Sequence, residues 1–290
     1  MRMPAAEVEV TAELVTALIR QQHLDLLDEL SLVANGWDNV IYRLGRTRTV
    51  RLPRRQLVAE LIIKEQRWLP ELAPRLPLSI PVPERAGRPG PGFDWPWSIG
   101  PWFDGDPLSG IPVSERTRYA ADLAAFFAAL HRPAPPDAPV NPVRGIPLAQ
   151  RAELVAQQFA IVDPPGRLRT LWDELVTTRE LTGPPVWVHG DPHPANLLIK
   201  DGRLAAVIDF GDLTAGDPAT DLAVGWLAFD PVGRSRFRDH YVRIAGDDAD
   251  LWRRARGWAL SLGLSLLANS DDNPVLAAVG RHAVDQVIQE

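Results

Sequence analysis

The sequence has no cysteine, which excludes disulfides and thiolate-bound metals and makes a reducing cytoplasm the expected setting. No apolar run approaches the ~20 residues that a membrane span needs, and the first residues lack the apolar stretch of a signal peptide. No internal repeat is present. Positive charge is not in excess either: the net charge is −6, which argues against nucleic acid as a partner. What remains is a chain of 290 residues, 46% hydrophobic and 23% charged, long enough for one large domain or two lobes. Its 28 prolines gather in connections between periodic segments, which suggests well-defined loops.

Chemistry concentrates in residues 186–212, VWVHGDPHPANLLIKDGRLAAVIDFGD. Val186, Trp187 and Val188 are apolar and β-favouring, and they deliver His189-Gly190-Asp191 to a loop. Pro192 and Pro194 keep that loop from becoming helical, since each fixes φ and lacks an N–H. Leu197, Leu198 and Ile199 resume as a strand, Asp201-Gly202 signals a two-residue hairpin turn, and residues 204–208 return antiparallel. The hairpin brings Asn196, at the start of one strand, close to Asp209, at the end of its partner. Asp191 lies five positions before Asn196 on the loop feeding the same place. Three polar side chains therefore converge at one end of a hydrophobic ribbon.

An Asp, an Asn five residues on and then an Asp-Phe-Gly form the constellation a phosphoryl-transfer site requires. The Asp accepts the proton of an attacking hydroxyl, while the Asn and second Asp hold Mg²⁺ against nucleotide phosphates. Singly, Asp-Gly is only a surface turn and Asp-Phe-Gly is common by chance; their joint spacing carries the argument. The loop resembles the HGDxHxxN pattern of the aminoglycoside phosphotransferase family and its relatives, the macrolide, choline and fructosamine kinases. His189-Gly190-Asp191 stands where protein kinases carry His-Arg-Asp, and residues 216–222 look like the family's stretch after the metal-binding Asp.

That resemblance implies an α+β, bilobal, protein-kinase-like fold. A small β-sheet N-lobe with the hinge would occupy residues 1–104, and a larger, mainly helical C-lobe residues 105–290. It also implies roles: Asp191 as the base or hydroxyl-orienting group, and Asn196 and Asp209 as the Mg²⁺ ligands. ATP or GTP would be the donor and a hydroxylated small molecule the acceptor, an antibiotic such as an aminoglycoside or macrolide being one candidate. The short run from Asp209 to Gly216 leaves little room for an activation segment, which disfavours a protein acceptor. Asp221 would brace the catalytic loop from behind, or be an ordinary helix-end Asp.

Upstream, residues 11–30 read as a helix beginning near Thr11, with Leu14, Leu18, Leu26, Leu27 and Leu30 as candidates for its buried face. Residues 32–44 read as strand, turn at Asn35-Gly36, and strand; a third strand, residues 49–52, follows a turn at Gly45. By the resemblance, the first hairpin covers the nucleotide phosphates, with Gly36 where several glycines are usual. The third strand offers Arg51 in place of the kinase Lys, with Arg43 as the alternative. Arg can contact phosphates bidentately, so the exchange is chemically sound. Its helix partner would come from residues 56–69, Glu65 fitting better than Glu60. Residues 95–105 read as a strand entering a linker. There the resemblance places the carbonyl of Pro101 and the N–H of Phe103 against the base of the nucleotide.

From Ser114 on the pattern is helical, with Tyr119, Leu123, Phe126, Phe127 and Leu130 on the apolar face of residues 115–131. A proline-rich loop over residues 133–147 precedes helices near 148–160 and 166–181. After the hairpin, residues 218–229, 236–244, 248–268 and 273–288 read as helices. Asp212, Asp217, Asp230, Asp247, Asp248, Asp250, Asp271 and Asp272 suggest an acidic rim that would concentrate cationic acceptors, unless they are caps and turn residues. Two other functions compete. The missing strand Lys and sparse glycines would suit a nucleotide-binding pseudokinase, although the retained Asp191, Asn196 and Asp209 argue against it. His189, Asp191 and His193 could instead ligate a transition metal in a hydrolase.

Overall fold

The computed structural model describes residues 5–163, 165–246 and 248–289. The chain divides into two compact units, one of residues 5–74 with 79–104, the other of residues 75–78 with 105–289.

In the first unit, α1 (Ala12–Gln22) is capped by Thr11, whose hydroxyl accepts from the Leu14 N–H. It is shorter than the leucine spacing suggests. At His23 the backbone leaves the helical region; a single tight turn, Leu24–Leu26, follows, and Leu30 opens a strand. Leu26, Leu27 and Leu30 still pack on the core, so burial is satisfied without helix. The sheet takes the order β1 (Leu30–Asn35), β2 (Asn39–Leu44), β3 (Arg48–Pro53), β5 (Trp97–Pro101), β4 (Arg85–Gly87), antiparallel throughout. Val40, Tyr42, Leu44, Val50, Leu52, Trp97 and Ile99 line the core beneath α1. Helix α2 (Gln56–Leu72) runs past the expected end, with Pro70 inside its last turn.

In the second unit, β6 (Asp106–Pro107) precedes α3 (Ala120–Leu130), whose Leu123, Phe126, Phe127 and Leu130 are fully buried. Helices α4 (Ala152–Val162) and α5 (Gly166–Leu175) follow; α5 ends before the expected Leu181. Strand β7 (Val186–Val188) leads to the hairpin of β8 (Leu197–Lys200) and β9 (Arg203–Val207). Asp201 and Gly202 both have positive φ, 51° and 73°, as a tight hairpin turn of this twist demands. Strand β6 adds a third strand to the hairpin, and β10 (Thr214–Gly216) pairs with β7.

The helix expected over residues 218–229 is two short buried ones, α6 (Ala219–Leu222) and α7 (Val224–Ala228). Helix α8 (Pro231–Ala245) begins before the expected 236 because Asp230 caps it and Pro231 takes its first position. Helices α9 (Ala249–Asn269) and α10 (Pro274–Ile288) complete the chain, α9 burying Trp252, Trp258 and most of its leucines.

Candidate active site

The loop that carries Asp191 is held by a carboxylate from another element. Asp221, fully buried on α6, accepts from the His189 N–H (2.7 Å) and the Gly190 N–H (2.9 Å). Its Oδ2 also faces His131 Nε2 at 3.1 Å, and His131 Nδ1 meets the Tyr241 hydroxyl at 2.9 Å. His189 Nε2 lies 3.0 Å from the Ile208 carbonyl, and its Nδ1 accepts the Asp191 N–H at 3.2 Å. The imidazole therefore carries its proton on Nε2, pointed at that carbonyl. Gly190 is required here: φ is +93°, and a Cβ would come within 2.6 Å of the Asp212 carbonyl.

The hairpin then places the other two residues. The Ile208 N–H donates to the Asn196 carbonyl at 2.9 Å, so Asp209 follows directly beside Asn196. Asn196 is buried, and its Nδ2 donates to the Asp191 carbonyl at 3.0 Å. That orients the amide and leaves Oδ1 as the atom still able to ligate. Asp209 is exposed and held at φ +65°, in the left-handed region. For a residue other than glycine this backbone costs of order 1 kcal/mol and collects at functional positions.

Charge alternates across the loop. His193 Nε2 lies 3.4 Å from Asp191 Oδ2, and Arg144 Nη2 lies 3.7 Å from Asp191 Oδ1. Burial would raise the Asp191 carboxyl, but His193 and Arg144 beside it hold it well below the usual carboxylate range. Burial would likewise lower His193; the Asp191 carboxylate outweighs it and, with Asp209 adding, keeps the imidazole protonated to higher pH than usual.

Asn196 and Asp209 fit Mg²⁺: both offer hard oxygen donors, and Mg²⁺ is usually held by one or two protein groups plus substrate phosphates. The transition-metal alternative does not fit. His189 spends both ring nitrogens inside the protein, and among the described residues no group of three His, Cys, Asp or Glu could hold a metal. The acidic rim is also corrected. Asp212 faces Asn141 Nδ2 (2.9 Å) and Arg144 Nε (3.1 Å), Asp217 faces Arg254 (2.6 Å), and Asp250 faces Arg179 (3.1 Å). Asp230 and Asp248 cap α8 and α9, and Asp247 lies outside the described residues. Carboxylates compensated in this way draw no cations.

In the first unit, Arg51 and Glu65 are brought together. Arg51 Nη1 donates to Glu65 Oε2 at 2.7 Å, and Glu65 is almost fully buried. Arg43 turns elsewhere, bonding the Arg46 carbonyl and covering the Trp102 ring at 4.6 Å. Gly36 sits in the turn after β1, but its N–H is spent on the Asn39 carbonyl and its own carbonyl on Arg54 Nη1. Arg54 and Arg55 brace this turn, Arg55 through Asp38 at 2.9 Å, a support that no local sequence signal announces. The Thr49 hydroxyl donates to the Pro101 carbonyl at 3.3 Å, whereas the Phe103 N–H has no partner among the described residues.

The phosphotransferase enzyme family, APH, matches residues 29–258. This chain belongs to that family. No curated protein matches it. Among solved structures it is similar to an APH(2″)-type enzyme in its GDP and kanamycin complex, with 20% identity and TM-score 0.68 over 95% of this chain and 98% of that one. A macrolide 2′-phosphotransferase from Brachybacterium faecium matches at 22% identity and TM-score 0.64, over 93% of this chain and 97% of that one. The streptomycin–ATP ternary complex of APH(2″)-IIa matches at 19% identity and TM-score 0.59, over 98% and 97% of the respective chains. The α+β kinase-like fold of this family member is thereby shown. Among its described residues no helix is long and apolar enough to cross a membrane.

Proposed function

We propose that this chain transfers the γ-phosphoryl group of ATP or GTP, with Mg²⁺, to a hydroxyl of a small molecule. Residues 1–104 would handle the nucleotide and residues 105–290 catalysis and the acceptor. The observation that carries the reading is the hairpin register: Ile208 bonded to Asn196, with Asp209 next in sequence and Asp191 anchored by the Asn196 amide. The similar structures support it, since their complexes hold GDP with kanamycin and ATP with streptomycin.

Asp191 accepts or orients the proton of the attacking hydroxyl, and its depressed basicity suits orientation and late proton uptake better than early abstraction. Asn196 and Asp209 would hold Mg²⁺, which when bound neutralises charge on the transferring phosphates. Arg51, positioned by Glu65, would contact the phosphates, and the Pro101 carbonyl and Phe103 N–H the base. Gly36 contributes turn geometry rather than its own amide, which is spent. Isotope-labelled ATP or GTP with Mg²⁺, screened against hydroxylated antibiotics and metabolites by mass spectrometry, tests the reading. Labelled product is expected; nucleotide binding with no transfer to any acceptor and no hydrolysis would favour the pseudokinase.

Two substitutions separate the parts. Asp209→Asn keeps the side-chain shape and a residue at ease with positive φ, so it isolates the charge. The Mg²⁺ concentration for half-maximal rate should rise about tenfold or more, and an unchanged Mg²⁺ dependence would place the metal elsewhere. Arg51→Met should weaken nucleoside triphosphate binding far more than adenosine or guanosine binding, by about tenfold for one charge-assisted pair. Equal losses would indicate a folding defect at the Glu65 pair instead.

A further inference from the structure

Asp221, which holds the loop that carries Asp191, is fully buried, and its one ion-pair partner among the described residues is His131. Its charge is met by the His189 and Gly190 N–H groups and by whatever His131 Nε2 presents at 3.1 Å. His131 directly follows α3, with its backbone N–H bonded to the Phe127 carbonyl (2.8 Å) and its buried ring stacked on the Phe127 ring at 5.6 Å. Its Nδ1 points to the Tyr241 hydroxyl of α8 at 2.9 Å. Tyr241 is 3% exposed, and its ring meets Trp252 of α9 edge-on at 5.9 Å. Packing thus fixes both rings, and the hydroxyl has no other hydrogen-bond partner among the described residues.

That geometry leaves the protons little choice. With a proton on Nδ1, whether on that nitrogen alone or on both, His131 would donate to the Tyr241 oxygen and strand the phenolic proton in a buried place. The tautomer protonated on Nδ1 alone would also turn a bare Nε2 toward Asp221. One arrangement satisfies every group: the Tyr241 O–H donates to Nδ1, and the Nε2–H donates to Asp221. Burial first, then Asp221 and Asp217, push the Tyr241 hydroxyl above the usual phenol range, so it keeps the proton it donates. The Asp221 oxygen that faces His131 is the one that takes the His189 N–H, two residues before Asp191.

We propose that Tyr241 is a positioning residue for phosphoryl transfer. Its hydroxyl holds His131 in the Nε2–H tautomer, keeps Asp221 an ionised acceptor, and so sets the loop that presents Asp191. Tyr241 touches no reacting atom; it acts through two other side chains. This rests on Asp191 being the group that addresses the attacking hydroxyl.

The test compares wild type, Tyr241→Phe, His131→Asn and the double variant, with thermal melting recorded for each. Turnover is read from γ-labelled ATP or GTP with Mg²⁺, counting label passed to an acceptor or to water. Imidazole ¹⁵N resonance, with His131→Asn assigning the signals, should show a protonated Nε2 and a bare, hydrogen-bonded Nδ1 in wild type. In Tyr241→Phe that Nδ1 signal should move toward a nitrogen that accepts no hydrogen bond. The His189 and Gly190 amides should exchange about tenfold faster, and kcat should fall about tenfold with KM for the nucleotide within about twofold. The double variant should match His131→Asn within about twofold, because the hydroxyl acts through that ring. Should His131→Asn not fold, the exchange and kcat of Tyr241→Phe decide alone. A protonated Nδ1 in wild type, unchanged kcat or unchanged amide exchange in a folded Tyr241→Phe, or effects that multiply in the double variant would overturn the inference. A merely structural role would lower the melting temperature with kcat unmoved, and so falls among those results. A wild type that moves no label would instead overturn the phosphotransfer reading, and the amide exchange would still decide whether Tyr241 holds the loop.

Discussion

Asp191→Ala lowers turnover by a factor on the order of 10² or more while leaving nucleotide affinity close to wild type. The carboxylate accepts no hydrogen bond from the backbone among the described residues. Its oxygens face His193 at 3.4 Å and Arg144 at 3.7 Å, longer than well-formed hydrogen bonds, and the loop backbone is anchored by other groups. On the proposed reading, removing it deletes the group that would meet the hydroxyl while the backbone bonds that hold Asn196 and the hairpin stay in place. Asp191→Asn is the sharper version, since it keeps shape and loses only the charge and proton affinity. Its turnover should fall comparably. Near-normal turnover in either variant, with a normal melting temperature, would remove Asp191 from the chemistry.

Asp221→Ala acts through stability. Two buried N–H groups, from His189 and Gly190, lose their acceptor, and His131 loses the partner of its Nε2. Each stranded donor costs roughly 1–3 kcal/mol, and breaking a buried charged contact about 3–5 kcal/mol in all. A fall of roughly 10 °C in melting temperature follows for a unit of this size. Asp221→Asn is informative beside it: one oxygen remains where two N–H groups point, and an amide is turned against the other. It should melt between wild type and Asp221→Ala, with turnover reduced because the loop carrying Asp191 is no longer held. Wild-type melting in Asp221→Ala would mean that the catalytic loop is anchored elsewhere.

What could be read in the sequence was local. Asp201-Gly202 requires one turn type and fixes the register of β8 against β9, which is why the neighbours Asn196 and Asp209 were foreseeable. The apolar face of α3 and the cap at Thr11 follow from spacing and a short polar side chain in the same way. Distant contacts were not legible. Nothing near Arg144 indicates that residues 141–145 will lie on residues 212–220, because that docking depends on two glycines meeting face to face. His193 was in view as a neighbour of Asp191, but only packing distinguishes a protonated partner of that carboxylate from a metal ligand. The helix end misjudged at Leu30 has a physical cause: Leu26, Leu27 and Leu30 satisfy the core from a turn and a strand as well as from helix. Five of the acidic residues fail as a rim for a related reason: sequence counts charges, and only structure shows that Asp212, Asp217 and Asp250 are paired and that Asp230 and Asp248 cap helices.

The central claim is that Asn196 and Asp209 hold the metal–nucleotide complex at the hairpin that presents Asp191. Manganese substituted for magnesium tests it through the electron paramagnetic resonance of Mn²⁺ added with ADP to wild type and to an Asn196→Ala, Asp209→Ala double variant. The account predicts an immobilised Mn²⁺ spectrum in wild type that needs the nucleotide and is lost in the double variant, with both proteins folded. The same immobilised spectrum in the folded double variant would contradict it.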